Sequence, residues 1–473
     1  MPVFHDASTK TTVANQAIGQ LHDALQALSD AAMAMDDFEQ FEREVHTLFV
    51  RAQRDVLASE LAQLDVDLPY VLIDDVKHSR VLRSRETYTS AVGPIHVMRT
   101  LYRHRRHKSV VPMELRAGIV DGHWSPLAAK QGAWTVAHLT PQDGEALFAQ
   151  LGNMQPSKSS LDRLPKQLST HWEAQREAFE ASLRAQQTVP EQAVTLSVSL
   201  DGVMVPMKDG ERAAKRMHAQ NNGRRPRGPA GYQEVGCGTL SFHDADGERL
   251  STIRLARMPE ANKATLKSQL SAEIDAILAQ RPQLKLVKVA DGAKDNWTYL
   301  SHTLAPGTEL VDYFHAVQHL KVAFDAAYGE HTAMADAQFH KYRHILRDEH
   351  EGIDKVIRGL RHLRRKHPRR KALKTQLAYF RGHRARMQYA TAKEQYLPIG
   401  SGIIEAACKT LATQRLKRSG MRWRHPGGQA ILTLRALIQS ERFERAWSLL
   451  SGTYKKTVTW PQNVIPIGCH RAA

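Results

Sequence analysis

Between Val194 and Met207 the chain reads VTLSVSLDGVMVPM, an apolar strand pattern with one carboxylate, Asp201, in its middle. An ionised side chain in an apolar strand is costly unless it is paired, hydrogen-bonded or bound to a metal. Asp-Gly pairs often mark turns, but here strand residues continue on both sides of Asp201. The segments after Met207 constrain the fold further. EVGCGTLSFHD and RLSTIRLARM are two more strands, joined at the Asp246-Gly247 turn. ANKATLKSQLSAEIDAILAQ is a helix, LKLVKVADG a buried strand, AKDNWTYLSHTL a helix, and TELVDYFHA a short strand entering another helix. The order is β-β-β-α-β-α-β. Three successive strands make a meander, and strands reached through a helix are predicted parallel to the first.

The flanking regions differ in kind. Residues 14–64 carry apolar positions at helical spacing. Residues 86–103 alternate around Gly93-Pro94 and predict a β-hairpin. Helices return from Ser125 to about Leu183, and SKSSLDRLPKQL after the turn residues Gly152 to Pro156 resembles the second half of a helix-turn-helix. Residues 331–395 are helical and polar, with 17 Lys/Arg against 6 Asp/Glu. That segment therefore supplies +11 of the chain's net +17. A last helical region runs from Glu405 to about Leu450, and the tail past Ser451 is expected to be loose. The expected division is 1–80, 81–190, 191–330, 331–395, 396–450 and 451–473.

A basic excess of this size points to a polyanionic partner, with nucleic acid ahead of anionic membrane. No run of 18 apolar residues suggests a membrane span, and MPVFHDASTKTT lacks a secretory pattern. Three cysteines, Cys237, Cys408 and Cys469, form no CxxC pair, which disfavours a disulfide framework or a zinc ribbon. A cytosolic protein is the expectation.

Three acidic residues stand out by context. Asp201 is mid-strand, Asp291 ends LVKVADG, and Glu405 lies among Ile403, Ile404, Ala406, Ala407 and Cys408. Asp291 read alone is equally a plain turn, and Glu405 read alone is a helix-dipole contact. Carboxylates near strand ends of an α/β sheet sit where ligands gather. A cluster of them without thiolates suits hard cations such as Mg²⁺ or Mn²⁺.

SLDGVMV, VADGAKDNW, DYFHAVQHL, GSGIIEAACK and RSGMRWRHPGGQAILTLRAL, in that order, resemble the ISKra-type insertion-sequence transposases, relatives of the Mutator-like group. The resemblance covers roughly residues 194–450. It implies an α/β RNase H-like catalytic core with an all-α insertion at 331–395, beside a mainly helical N-terminal region. It implies a DDE transposase that cuts transposon ends and joins them to target DNA. Asp201, Asp291 and Glu405 match the metal-binding triad, which holds two Mg²⁺ or Mn²⁺ ions. His315 and the auxiliary Asp312 match the motif of the DYFH segment. Asp312 competes with Asp291 for the second carboxylate, and Asp291 is preferred because it directly ends a long apolar strand. The resemblance also implies a homodimer or larger assembly on double-stranded DNA, associated with the nucleoid.

Phosphate contacts supply affinity without reading sequence. The expected ones are Arg224, Arg225 and Arg227; Arg364, Arg365, Lys366, Arg369 and Arg370; and Arg415, Lys417, Arg418 and Arg422. Trp423 is either a base-stacking surface or a core residue. Many relatives carry cysteine pairs near the N-terminal hairpin. This chain has only His104 and His107 there, so no zinc is expected. Two rival readings remain: an RNase H-like nuclease without strand transfer, and a non-catalytic DNA-binding protein derived from a transposase.

Overall fold

The computed structural model describes residues 7–32, 37–105, 108–208, 221–223 and 231–460. The chain folds as two compact units, one made of Met1–Arg176 with Glu444–Ala473 and the other of Glu177–Phe443. Among the described residues no helix is long and apolar enough to cross a membrane.

The first unit opens with α1 (Ala7–Ala32) and α2 (Phe38–Ala62). Asp37 starts α2 by accepting the amides of Glu39 and Gln40 at 3.0 and 3.4 Å. Strands β1 (Tyr70–Ile73), β2 (Val76–Ser90) and β3 (Gly93–Arg103) form an antiparallel meander. The predicted hairpin is therefore real, and its first strand starts earlier, at Val76. Gly93 turns it with φ +110°, and the Arg54 guanidinium fills the space a side chain would need. The tail departs from expectation. Val458–Thr459 adds a fourth strand beside β1, because Val458 is buried with Val71 and Tyr102. Residues 461–473 lie outside the described residues. Helices α3 (Pro112–Ala117), α4 (Pro126–His138), α5 (Pro141–Leu151) and α6 (Lys158–Ala174) complete this part. On α6, Leu161, Leu164, Leu168 and Trp172 are buried while Lys158, Asp162, Arg163 and Lys166 are exposed.

After α7 (Arg176–Ala185), the second unit is built on β4 (Thr195–Pro206), β5 (Tyr232–His243) and β6 (Arg249–Arg257). Then come α8 (Ala264–Gln280), β7 (Lys285–Ala290), α9 (Lys294–His302), β8 (Thr308–Val311) and α10 (Tyr313–Tyr328). The strand order is β6-β5-β4-β7-β8. The first three strands are antiparallel, and β7 and β8 run parallel to β4. Along β4, Leu196, Val198 and Leu200 are buried on one face and Thr195, Ser197 and Ser199 on the other. Coverage of both faces is what parallel pairing requires.

Residues 331–395 form α11 (Ala333–Asp348), α12 (Gly352–Lys366), α13 (Lys371–Gly382) and α14 (Tyr389–Glu394). Their apolar face enters the sheet's own core: Val356, Leu360, Leu363, Leu377 and Phe380 pack in one cluster with Leu320 and Phe324 of α10. The other face of α12 is exposed and basic.

The helical run expected from Glu405 onward is interrupted. α15 (Gly402–Ala407) passes into a π-helical turn, Cys408–Thr413, then α16 (Gln414–Leu416). Buried Arg435 donates from Nε to the carbonyls of Thr410 and Leu411, at 3.0 and 2.9 Å, inside the π turn. A non-helical link then precedes α17 (His425–Gln439) and α18 (Phe443–Gly452). The link turns at Gly420, φ +75°, and Trp423 N donates to Pro206 O at 3.0 Å, tying it to the end of β4.

Candidate functional site

Asp201 and Asp291 are brought together by strand register. β4 and β7 pair in parallel from Thr195↔Lys285 to Ser199↔Val289. That pairing ends two residues short of both carboxylates, so Asp201 and Asp291 follow it at the same end of the two strands. The electrostatics agree. Burial raises the Asp201 carboxyl above its ordinary value, the Gly202 amide opposes this, and the charge of Asp291 raises it again.

Each carboxylate is held from behind. Asp201 Oδ1 accepts the Gly202 amide at 2.7 Å. Asp291 Oδ1 accepts the Ala293 amide at 3.1 Å and Asn296 Nδ2 at 3.2 Å. Asn296 also donates to Leu200 O at 3.4 Å, and Trp297 Nε1 donates to Asp291 O at 2.6 Å. The first turn of α9 thus fixes the end of β7 against β4.

Several neighbours carried no sequence signal. Cys237 is the register partner of Asp201 on β5, and Cys408 Sγ lies 3.8 Å from Asp201 Oδ2. The adjoining Cys237 thiol and burial push the Cys408 thiol up. Lys263 lies 3.1 Å from Glu234, and its charge lowers the Asp201 carboxyl. Asn262 and Lys263 both adopt left-handed backbone, φ 56° and 53°. Such strain persists only where its surroundings enforce it.

Asp312 has structural partners. It is buried, and it caps α10 by accepting the Phe314 amide at 3.0 Å. It also accepts from Ser401, from the amide at 3.1 Å and from Oγ at 2.6 Å. Tyr313 N donates to Ile399 O at 2.9 Å beside it. Asp312 therefore pins the segment that launches α15, and its oxygens are already engaged. Asp291 Oδ2 has no hydrogen-bond partner among the described residues. His315 is half-buried in the first turn of α10, with its ring 6.1 Å from that of His319.

Glu405 sits in the first turn of α15, which packs across β4 and β5 through buried Ile404 and Ala407, and its own side chain is exposed. Among the described residues no group of three or more His, Cys, Asp and Glu is gathered to hold a metal ion. Asp201, Asp291 and Glu405 are therefore not gathered as one ligand set among the described residues. The oxygen donors of Asp201 and Asp291 fit a hard divalent cation, which would also relieve their repulsion. A cavity of about 570 Å³ beside β8 is lined by Thr308, Glu309, Arg386 and Gln395 among others and touches none of these carboxylates.

The basic residues divide. Arg364, Arg365, Lys366, Arg369 and Arg370 are exposed and form no ion pair among the described residues. Lys417, Arg418 and Arg422 are also exposed. Arg415 is not a surface contact: it is 2% exposed, with its guanidinium 5.3 Å from the centre of the Trp423 ring. Trp423 is half-buried, and its Nε1 donates to Leu416 O at 2.9 Å, so it serves packing. Arg224, Arg225 and Arg227 lie outside the described residues, as does His107.

No family model matches the chain, and no curated protein matches it. Among solved structures it is similar to the Drosophila P element transposase strand transfer complex, at 12% identity and a TM-score of 0.25. That match covers 70% of this chain and 83% of the other. A likeness of that depth decides neither the fold nor the chemistry of this chain.

The site's geometry has two measurable consequences. Asp312→Ala removes a helix cap and the clamp on Ser401, and should cost about 1–2 kcal/mol in denaturant unfolding. Amide exchange at residues 401–405 should accelerate with it, and unchanged exchange there would contradict the clamp. The second consequence concerns pH. A carboxyl raised in the folded state makes the fold bind its proton more tightly, so stability falls as pH rises past the ordinary carboxylate value, about 3.9. Without divalent ions, Asp201→Asn should be more stable than wild type at pH 7, and the gain should vanish near pH 4. A destabilised Asn variant at pH 7 would show that Asp201 is stabilised as an anion.

Proposed function

We propose that this chain is a DNA transposase of the RNase H-like DDE kind, with Asp201 and Asp291 at its catalytic centre. The observation that supports this reading is the parallel register of β4 and β7, whose last pair lies two residues before each of two carboxylates in a β6-β5-β4-β7-β8 sheet. The ISKra-type motifs fall on the same elements: Asp201 on β4, Asp291 after β7, Asp312 and His315 at the start of α10, and Glu405 on α15.

The reaction is phosphodiester hydrolysis at an element's end, followed by attack of the freed 3′-hydroxyl on target DNA. Mg²⁺ or Mn²⁺ ions would supply activation of the attacking oxygen and stabilisation of the leaving one. Asp201 and Asp291 would hold them, and Glu405 would complete the set when DNA and metal are bound. His315 positions the scissile phosphate. The exposed row Arg364, Arg365, Lys366, Arg369 and Arg370, with Lys417, Arg418 and Arg422, contacts DNA phosphates. The exposed basic side of α6 adds phosphate contacts as part of a helix-turn-helix. The working form is a homodimer or larger assembly on the nucleoid, since two ends must be handled together.

Two rivals stand beside this reading, an RNase H-like nuclease without strand transfer and a non-catalytic DNA-binding protein derived from a transposase. A strand-transfer assay with Mg²⁺ and the element's own ends decides between the readings. The expected result is cleaved and joined product, with Asp201→Ala lowering the cleavage rate at least ~100-fold, about 2.7 kcal/mol of barrier. Cleavage without joining would identify a nuclease. Binding without cleavage would identify the non-catalytic protein.

A further inference from the structure

The basic helical segment reaches the carboxylate site through α13. Tyr379 packs its ring against Gly292, the residue after Asp291: a Cβ at Gly292 would lie 2.6 Å from Tyr379 Cε2 and 3.4 Å from its hydroxyl. His383, one turn further on, also faces Gly292, with Nε2 3.3 Å from that position. The Tyr379 ring is held on its other side. It stacks on His319 with centroids 3.7 Å apart at 22°, and His319 Nδ1 is 2.6 Å from Gln376 Oε1.

Two polar atoms here are buried without a partner. Neither the Tyr379 hydroxyl nor His383 Nδ1 has a hydrogen-bond partner among the described residues. A buried hydroxyl left unpaired is costly, and phenylalanine would fill the same space without that cost. The Tyr379 hydroxyl is a hydrogen-bond donor with no acceptor among the described residues. Burial, then Arg386 and His319, lower His383, which favours its neutral form. An unpartnered hydroxyl packed against Gly292 suits an acceptor brought by a ligand.

We propose that the Tyr379 hydroxyl is a catalytic residue that donates a hydrogen bond to a non-bridging phosphate oxygen of the DNA strand held at Asp201 and Asp291, with His383 lining the same position. This rests on the transposase reading, which supplies the phosphodiester. It makes residues 331–395 part of the reaction centre as well as a DNA-binding surface. The donor would meet the developing charge in the transition state and contribute little to DNA affinity.

The test is Tyr379→Phe in the full-length protein, which keeps the ring and its stacking. Single-turnover cleavage of a duplex carrying the element's end, duplex affinity in Ca²⁺ and the melting temperature are measured beside Asp201→Ala. The expected result is a cleavage rate lowered roughly 100-fold, with affinity kept and the melting temperature kept or raised. A Phe variant that cleaves at the wild-type rate, while Asp201→Ala does not cleave, overturns the role of Tyr379 and leaves the transposase reading standing. A variant that loses affinity or melting temperature in step with rate overturns it too, since the hydroxyl would then be structural. If wild type shows no metal-dependent cleavage, the transposase reading fails and this inference fails with it.

Discussion

The parallel pairing of β4 with β7 is the contact on which the rest of the second unit depends. The pairing ends two residues before an acid on each strand, so Asp201 and Asp291 follow it at the same end. The sheet must be covered on both faces for that pairing to survive, and the helices that cover it also bring the other site residues. α9 delivers Asn296 and Trp297 to the end of β7, α10 delivers Asp312, and α15 lies across β4 and β5. The price is two carboxylates in partial burial, and burial together with the charge of Asp291 raises Asp201.

The basic segment is not an appendage to this arrangement. Its apolar positions share one core with α10, and its α13 places Tyr379 and His383 against Gly292. The exposed basic side of α12 and the buried wall of the carboxylate site therefore belong to one packed body. In the proposed function, a strand gripped by Arg364 to Arg370 and a phosphate held at Asp291 act on the same set of helices.

How much of this was legible in the sequence depends on which forces are local. The meander and the two parallel strands were legible, because alternation, the Asp246-Gly247 turn and helical spacing are properties of neighbouring residues. The place of Asp201 inside a strand was legible because strand residues continue on both sides of it. The role of Asp312 was not, because its partner Ser401 is 89 residues away. Arg415 misled for a related reason: composition counts a charge, but only packing shows it beneath Trp423. The π turn after α15 depends on Arg435 from another helix, and the left-handed Lys263 on contacts around Asp201 and Glu234. Tyr379 sits in a polar helical stretch whose pattern gives no hint of what it faces.

The central claim is that Asp201 and Asp291 form one divalent-cation site. Anomalous diffraction from crystals soaked in Mn²⁺ tests it most directly. The account predicts a peak within roughly 2.0–2.6 Å of oxygens from both aspartates, lost in Asp291→Asn. A peak coordinated elsewhere, or none between these two carboxylates at saturating Mn²⁺, would contradict it.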